Sequence, residues 1–271
     1  MTFARLLKPR LAQTVATVLR RLRGQEELAH PLDRALGIET SVRVPRAAFS
    51  VGSDKDALSV GYVGAAPSII RKSLDAIGVG RDSAFVDLGC GKGRALVVAA
   101  DYPFRSIAGI ELSPFLADIA RRNIGKLSPK ARYGDRIVII EGDASTPAIP
   151  EVAEVVLFLY NPFRRPLVET LAAGLVTAIK SFPLRKLWLV YYNPVCHDVF
   201  DRAPEFERFM AARIDYNEDE RRAAERQNSN TFDSVIIYQS RNSPRRSPLP
   251  GADARVKITI PDLGADVINA P

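Results

Sequence analysis

Short apolar segments alternate with helical segments from residue 68 to residue 240, and this alternation is the strongest constraint on the fold. The apolar segments are rich in Val, Ile and Leu without in–out alternation, which is typical of strands buried on both faces of a sheet. Helices between such strands predict an α/β fold, with a parallel doubly wound sheet and helices on both faces. The expected strands are 84–88, 106–111, 136–141, 154–160 and 187–192, followed by 206–214 and 231–238 as two closing strands.

The helices between these strands are predicted from apolar spacing and from start and stop signals. Ser68 is expected to cap a helix over residues 69–77, and Ser113, followed by Pro114, to start a helix through Asn123. The other expected helices are 94–100, 165–181 and 218–227. Ligands of such sheets bind outside the carboxyl ends of the strands, so the residues after the first four strands are the ones to examine.

A glycine-rich loop, DLGCGKGR at residues 87–94, follows the first predicted strand. Its three alternating glycines allow the backbone to turn tightly and to approach a ligand closely. A phosphate-binding P-loop is excluded, because the pattern that such a loop requires does not surround Lys92. The dinucleotide fingerprint is broken at Arg94, where its third glycine would stand.

Carboxylates follow the second and third predicted strands. Glu111 ends the second strand, where an acid accepts hydrogen bonds from ribose hydroxyls in dinucleotide folds; its structural alternative is a charge at the entry of the next helix. Asp143 follows the third strand, within Gly-Asp-Ala at 142–144. It is expected either to bind the exocyclic amine of an adenine or to form a turn.

This set of residues resembles the class I S-adenosylmethionine-dependent methyltransferases. The match consists of AFVDLGCGKGR (84–94), IAGIELSP (107–114) and VIIEGDAS (138–145), in the family's order and spacing, and it covers residues 60–240. The resemblance implies a Rossmann-like sheet of seven strands whose last strand is antiparallel. It also implies a methyltransferase that uses S-adenosyl-L-methionine as its cofactor.

The resemblance further implies how the cofactor is held. Residues 89–93 are expected to pass under its methionine part, Glu111 to bind its ribose and Asp143 to contact its adenine. The implied cofactor-binding residues are Tyr62, Asp87, Gly89, Cys90, Gly91, Gly93, Glu111, Leu112, Asp143, Ala144 and Asn161.

Within that class the chain is similar to a little-characterised bacterial group. The shared motifs are GIETS (37–41), GYVGAAPS (61–68), FLYNPF (158–163) and YYNP (191–194). In similar enzymes a loop like the one with Tyr62 and Pro67 covers the cofactor. A weaker similarity, to the non-SET protein lysine methyltransferases, rests on the glycine-rich loop and an aromatic residue upstream of it.

The fourth strand ends in Tyr160, and Asn161, Pro162 and Phe163 follow as the expected catalytic residues. Amino-group methyltransferases often carry Asn or Asp, two prolines and an aromatic residue here, where the amide and a carbonyl hold the target nitrogen. The aromatic ring favours the positive charge that develops there. The resemblance therefore implies an amine or a protein side chain as methyl acceptor. This chain has one proline of the two, and Asn-Pro is also a common turn signal.

The chain's two histidines and two cysteines form no predicted catalytic or metal centre. His197, near the end of the fifth strand, is expected either to act as a base or to lie in a surface loop, and His30 has no assigned partner. Cys90 is predicted to be a small packing residue. Since Cys90 and Cys196 lack a metal-ligand spacing, no metal is expected, and the low cysteine content favours a reducing, cytoplasmic location.

The formal charge of +7 is concentrated at the two ends of the chain, and residues 1–25 contain six basic and no acidic residues. A nearly neutral body argues against a specific nucleic-acid partner. Apolar residues recur at helical spacing from Phe3 to Leu22, which predicts a basic amphipathic helix. Peripheral membrane contact, an organelle signal and packing on the body remain open. No apolar run is long enough to predict a membrane span.

Four regions are therefore expected along the chain: the basic helix (1–25), an N-terminal cap over the cofactor cleft (26–66), the methyltransferase domain (67–240) and a flexible extension rich in Pro, Ser and Arg (241–271). Two other functions compete with methyl transfer. One is a nicotinamide-dependent oxidoreductase, which the missing fingerprint glycine and Asp87 disfavour. The other is a non-catalytic module of the same fold, because a fold does not guarantee an activity.

Overall fold

The structure, a computed structural model, describes residues 29–42, 44, 50, 52, 58, 62–127, 136–182, 186–226 and 230–241. The basic helix expected in residues 1–25 and the extension expected after Arg241 lie outside the described residues, so both remain predictions. No helix in these ranges combines the length and the apolar character that crossing a membrane requires.

Seven strands in the described ranges form one sheet, with helices between them. The strands are β1 (Ser83–Leu88), β2 (Ser106–Glu111), β3 (Ile137–Glu141), β4 (Glu154–Tyr160), β5 (Lys186–Tyr192), β6 (Phe206–Asp215) and β7 (Phe232–Ser240). The helices are α1 (Pro31–Leu36), α2 (Pro67–Ile77), α3 (Arg94–Ala99), α4 (Pro114–Leu127), α5 (Arg165–Ser181), α6 (His197–Asp201) and α7 (Glu218–Arg226).

The strand order in the sheet is β3-β2-β1-β4-β5-β7-β6. The first five strands of this order run parallel to one another, and β7 runs antiparallel to both of its neighbours. This confirms the predicted Rossmann-like sheet with an antiparallel last strand. The chain moves outward from β1 to β3 and then returns to β4 on the other side of β1, so the carboxyl ends of β1 and β4 flank the switch point.

Two apolar clusters cover the two faces of the sheet. Phe85 and Phe158 belong to the cluster that includes α2 and α3, whereas their neighbours Val86 and Leu157 belong to the cluster that includes α5. Successive residues of a strand point to opposite faces. A central strand that is covered on both faces must therefore be apolar throughout, which explains the unbroken apolar runs of the sequence.

The start of α2 differs from its prediction. The helix begins at Pro67 with Ala66 as its N-cap, so Ser68 lies in the first turn and is not the cap residue. Proline suits this position because its fixed φ is already helical. The amide of Ser68 donates to Glu220 Oε1 at 2.9 Å, and its hydroxyl donates to the other oxygen of that carboxylate. A buried carboxylate of α7 thus satisfies the helix start that Ser68 was expected to cap.

The other predicted elements are observed with small boundary differences. Helix α4 continues past Asn123 to Leu127, and β7 begins one residue later than expected, at Phe232. Apolar Ile124 and Leu127 are buried, which explains why the last turn of α4 forms. Boundaries of this kind depend on tertiary contacts that periodicity does not encode.

Helix α1 and the segment that follows it form the described part of the N-terminal cap. Asp33, buried in α1, accepts hydrogen bonds from the Thr40 amide and the Ser41 hydroxyl, both at 2.7 Å. His30 is the N-cap of α1, and its Nδ1 accepts a hydrogen bond from the Leu32 amide at 3.1 Å. This bond supplies the partner that the sequence did not assign to His30, and it requires an unprotonated Nδ1.

The cap of α1 predicts a loss of stability in acid. Burial lowers the pKa of His30 to about 4, and the Arg94 guanidinium acts in the same direction. Because the folded state then binds fewer protons than the unfolded state, His30 stabilises the fold fully above about pH 6.5 and less as the pH falls towards 4. We expect the lowered pKa of His30 to decrease the free energy of unfolding by about 2 kcal/mol when the pH falls from 8 to 5.

Urea unfolding at both pH values measures this change. His30→Asn keeps a capping oxygen but does not titrate, so it should lose correspondingly less stability in acid than the wild type. An identical pH dependence in the two proteins would contradict the assignment.

Candidate active site

A cleft lies at the switch point of the sheet. It contains about 970 Å³ of empty space, which includes open solvent at its mouth. Its walls come from the carboxyl ends of β1, β2 and β4, from the turn after β3 and from the segment before α2. The fold thus brings distant parts of the chain together where the strand ends were expected to bind a ligand.

All but two of the predicted site residues line this cleft. The predicted residues that line it are Tyr62, Asp87, Gly89, Cys90, Gly91, Glu111, Leu112, Asp143, Ala144, Pro162 and Phe163. Gly93 lies outside, as the N-cap of α3 with a φ of 84°. Asn161 is buried and does not line the cleft, but its neighbours in the chain, Tyr160 and Pro162, do.

The glycine-rich loop is covered from two sides. Gly91 has a φ of 53°, and a Cβ atom there would lie 2.4 Å from the Tyr62 ring. Gly89 has a φ of 84°, and its Cβ would lie 2.9 Å from Pro162 Cβ. Any other residue would therefore be strained at these positions and would displace its neighbour. The close packing explains why the loop needs glycine where Tyr62 and Pro162 approach it.

Two of the carboxylates that line the cleft, Asp87 and Glu111, form no ion pair with a described residue, although Arg94 also lines the cleft. Asp87 is 4% exposed, and none of those residues donates a hydrogen bond to it. Burial raises its pKa well above the ordinary range, and the neighbouring Glu111 adds to this effect. Glu111 accepts hydrogen bonds from the Gly91 amide at 2.8 Å and the Ser113 amide at 2.9 Å. Burial still raises the pKa of Glu111. The cleft is therefore electrostatically suited to a positively charged ligand.

Asp143 forms the turn that was one of its two expected roles, and binding of an adenine amine stays a prediction. Its Oδ1 accepts hydrogen bonds from the Ser145 amide at 2.9 Å and the Ser145 hydroxyl at 2.7 Å, which is a turn stabilised by an aspartate side chain. The residue also lines the cleft. The turn therefore orients a carboxylate towards the site.

Lys92 is a residue whose role the sequence did not reveal. Its side chain is 1% exposed. The ammonium donates to Glu39 Oε1 and to the carbonyl of Val42, both at 2.6 Å, and lies 5.2 Å from the centre of the Tyr62 ring. Glu39 belongs to the GIETS motif, so this buried cation ties the N-terminal cap to the glycine-rich loop.

Arg94 forms a second connection to the cap. The guanidinium donates to the Thr40 hydroxyl at 2.6 Å, to the Thr40 carbonyl at 3.0 Å and to the Ser41 hydroxyl at 2.9 Å. It also donates to the Gly64 carbonyl at 3.2 Å. The sequence carries one signal for this role. Arg94 is a cation in the first turn of a helix, where a positive charge destabilises the helix unless other groups compensate it.

The histidines and cysteines take structural positions. His197 begins α6 and pairs with Asp201 at 2.8 Å; it does not line the cleft, which disfavours a role as base. Cys90 is buried in the loop, and burial raises the pKa of its thiol well above the ordinary range. The described ranges contain no group of three or more His, Cys, Asp or Glu side chains that could hold a metal ion.

The packing of Tyr62 on Gly91 predicts a large effect of a single methyl group. Gly91→Ala should lower the free energy of unfolding by at least about 1–2 kcal/mol, because alanine is strained at positive φ and would displace the ring. Gly125→Ala is the matched control, since Gly125 lies within α4 with open space at its Cβ position. The control should be neutral or stabilising by about 0.5–1 kcal/mol. Equal stability of the two variants in urea unfolding would refute the packing argument.

Comparison with known proteins gives two partial relatives, and no family model matches the chain. An uncharacterised protein from Methanocaldococcus jannaschii is 33% identical over 116 residues, which are 43% of this chain and 39% of that protein. A protein-lysine N-methyltransferase from Saccharolobus islandicus is 30% identical over 114 residues, which are 41% of this chain and 68% of that protein. The chain thus spans about two fifths of the first relative and two thirds of the second.

Solved structures with a similar fold include two methyltransferases. An RNA methyltransferase from Salinibacter ruber, in complex with S-adenosyl-L-homocysteine, is 19% identical with a TM-score of 0.41; the match covers 69% of this chain and 99% of that one. A geranyl diphosphate C-methyltransferase from Streptomyces coelicolor is 17% identical with a TM-score of 0.43, over 64% of this chain and 78% of that one. By the Saccharolobus relative and the strand order of its sheet, the chain belongs to the class I S-adenosylmethionine-dependent methyltransferases.

Proposed function

We propose that this protein transfers a methyl group from S-adenosylmethionine to an amine, on a protein side chain or a small molecule. The observation that carries the proposal is the pair of carboxylates, Asp87 and Glu111, that line the cleft and form no ion pair with a described residue. S-adenosylmethionine carries a sulfonium and an ammonium group, so its charge complements the cleft. When bound, it supplies an activated methyl group whose bond to sulfur breaks with the electron pair left on sulfur.

The residues of the cleft fit this cofactor. In the proposed complex Asp87, which has no protein donor among the described residues, accepts hydrogen bonds from the ammonium group. The amides of Gly91 and Ser113 orient Glu111, which accepts from the ribose hydroxyls. Asp143 accepts from the adenine amine, and Leu112 and Ala144 pack beside the base.

The same charges disfavour a nicotinamide dinucleotide. Its pyrophosphate is negative and would lie near Asp87 and Glu111, which raises the electrostatic free energy of the complex. The donors of Lys92 and Arg94 are engaged by the N-terminal cap, so they would not be available to hydrogen-bond a pyrophosphate. The cleft therefore favours S-adenosylmethionine over a nicotinamide cofactor.

Asn161 is the proposed acceptor-binding residue. It adopts a φ of 39°, a conformation that asparagine tolerates better than most residues. Among the described residues none hydrogen-bonds its side-chain amide, so its oxygen is available to an N–H group of the acceptor. Pro162 and Phe163, the next residues in the chain, line the cleft. These groups would align the nitrogen lone pair with the methyl group and exclude water, and the amine proton would leave to solvent. The named activity of the Saccharolobus relative supports an amine acceptor.

Calorimetric titration tests the cofactor assignment. We expect S-adenosylmethionine and S-adenosylhomocysteine to bind and NADH not to bind. Asp87→Asn and Glu111→Gln should each weaken the binding of S-adenosylmethionine about tenfold or more, because each removes a charge-assisted hydrogen bond. Asp87→Asn should also raise the melting temperature of the free protein, since ionising a carboxyl group of raised pKa lowers the stability of the fold.

Glu141→Gln is the matched control for the titration. Glu141 ends β3 beside Glu111 in the register, but it is exposed and paired with Arg121. Its substitution should leave the affinity unchanged. Wild-type affinity in both Asp87→Asn and Glu111→Gln would show that the cofactor site is assigned wrongly.

Replacing Asn161 separates methyl transfer from cofactor binding. Glycine removes the side chain but tolerates the positive φ, so Asn161→Gly should bind S-adenosylmethionine within about twofold of the wild type. Its transfer of labelled methyl groups to lysine-rich protein or to small amines should fall by about 100-fold or more, because the acceptor is no longer aligned. Asn193→Gly, at the similar Asn-Pro turn after β5 with a φ of 50°, is the control that should keep activity. Equal losses in both variants would remove Asn161 from the mechanism.

A further inference from the structure

Two stacked tyrosines extend from the cleft towards the antiparallel edge of the sheet. Tyr160 ends β4 and Tyr192 ends β5, and the two are paired in the register of the strands. Their rings lie 4.1 Å apart with an angle of 14° between their planes. Tyr160 lines the cleft, whereas Tyr192 is buried behind it. The stack thus connects the site to the residues beside β5.

A carboxylate lies at the far end of this stack. The Tyr192 hydroxyl donates to Asp233 Oδ2 at 2.6 Å, and the Tyr216 hydroxyl donates to the same oxygen. Among the described residues none donates to Asp233 Oδ1, and none is a cation paired with this carboxylate. Arg213, on the neighbouring β6, instead stacks on the Phe232 ring at 3.3 Å from its centre. Asp233 is half-buried and therefore partly exposed to solvent, although it does not itself line the cleft.

These groups share a preference for positive charge. The faces of aromatic rings carry negative potential and attract ammonium groups. A partly buried carboxylate without a countercharge does the same over a longer distance, because the local dielectric constant is below that of water. Burial raises the pKa of Asp233, while the two tyrosine hydroxyls lower it. Donation by both hydroxyls is the arrangement that an ionised carboxylate accepts.

We propose that Asp233 and the Tyr160–Tyr192 stack form a cation subsite beside the cleft, which selects a positively charged alkylamine as the methyl acceptor. The inference rests on the proposed function for its role in methyl transfer. Tyr160 would contact the acceptor, and Tyr192 and Tyr216 would act as positioning residues that hold Asp233. The acceptor would bind as an ammonium ion. One N–H bond would then break, with its proton passing to water and its electron pair staying on the nitrogen. That nitrogen would bond to the methyl carbon as the carbon–sulfur bond breaks and leaves its electron pair on sulfur.

The experiment compares two probes of equal shape and different charge, choline and the neutral 3,3-dimethylbutan-1-ol. Their affinities for the full chain are measured by NMR titration, with and without saturating S-adenosylhomocysteine. We expect choline to bind about tenfold more tightly than the alcohol in the wild type. In Asp233→Asn this ratio should fall to about twofold or less, although asparagine still accepts both tyrosine hydrogen bonds.

Three further variants localise the effect. Asp215→Asn changes an exposed carboxylate at the end of β6 and should keep the wild-type ratio. Asp87→Asn should also keep it, which separates the subsite from the carboxylates of the cofactor cleft. Tyr160→Leu should reduce the affinity for choline. Tyr160→Phe retains the ring and should keep the wild-type affinity.

The results distinguish this proposal from the function on which it rests. Equal binding of both probes, no binding of either, or an unchanged ratio in Asp233→Asn would each overturn the subsite. The S-adenosylmethionine titration is made on the same samples. Its failure would overturn the proposed methyl transfer, whereas the choline ratio reports on Asp233 in either case.

Discussion

The two buried cations of the glycine-rich loop, Lys92 and Arg94, hold the site together. A buried charge without partners destabilises a protein by several kcal/mol, so each of these side chains requires the acceptors that it contacts. Those acceptors lie in the N-terminal cap, at Glu39, Thr40 and Ser41, and in the segment before α2. The loop, the cap and the Tyr62 ring over Gly91 therefore form one connected unit.

The same contacts determine the charge of the cleft. Arg94 also lines the cleft, but the hydrogen bonds of Lys92 and Arg94 go to the N-terminal cap. Asp87 and Glu111, at the carboxyl ends of β1 and β2, are left without an ion pair among the described residues. A glycine-rich loop that looks basic in the sequence thus borders a cleft suited to a cation.

The strand order divides the proposed site into two halves. The carboxyl ends of β1, β2 and β3 carry the acidic residues assigned to the cofactor, and β4 carries those assigned to the acceptor. Because β7 inserts between β5 and β6, it brings Asp233 beside Tyr192 and so beside the acceptor half. In the proposed function, the antiparallel strand thus contributes to the choice of acceptor as well as to the closure of the sheet.

The sequence alone determined the order of the strands and of the helices between them except the short α1 and α6, because buried strands and amphipathic helices have local apolar patterns. It also placed Asp87, Glu111 and the glycine-rich loop beside one another, since a parallel sheet gathers the residues that follow its strands at one edge. Only the tertiary structure decided that Glu220 satisfies the start of α2, that Lys92 binds Glu39 and that Tyr192 holds Asp233. These pairs join residues far apart in the chain, and one sequence contains no periodic signal for a polar contact between distant side chains.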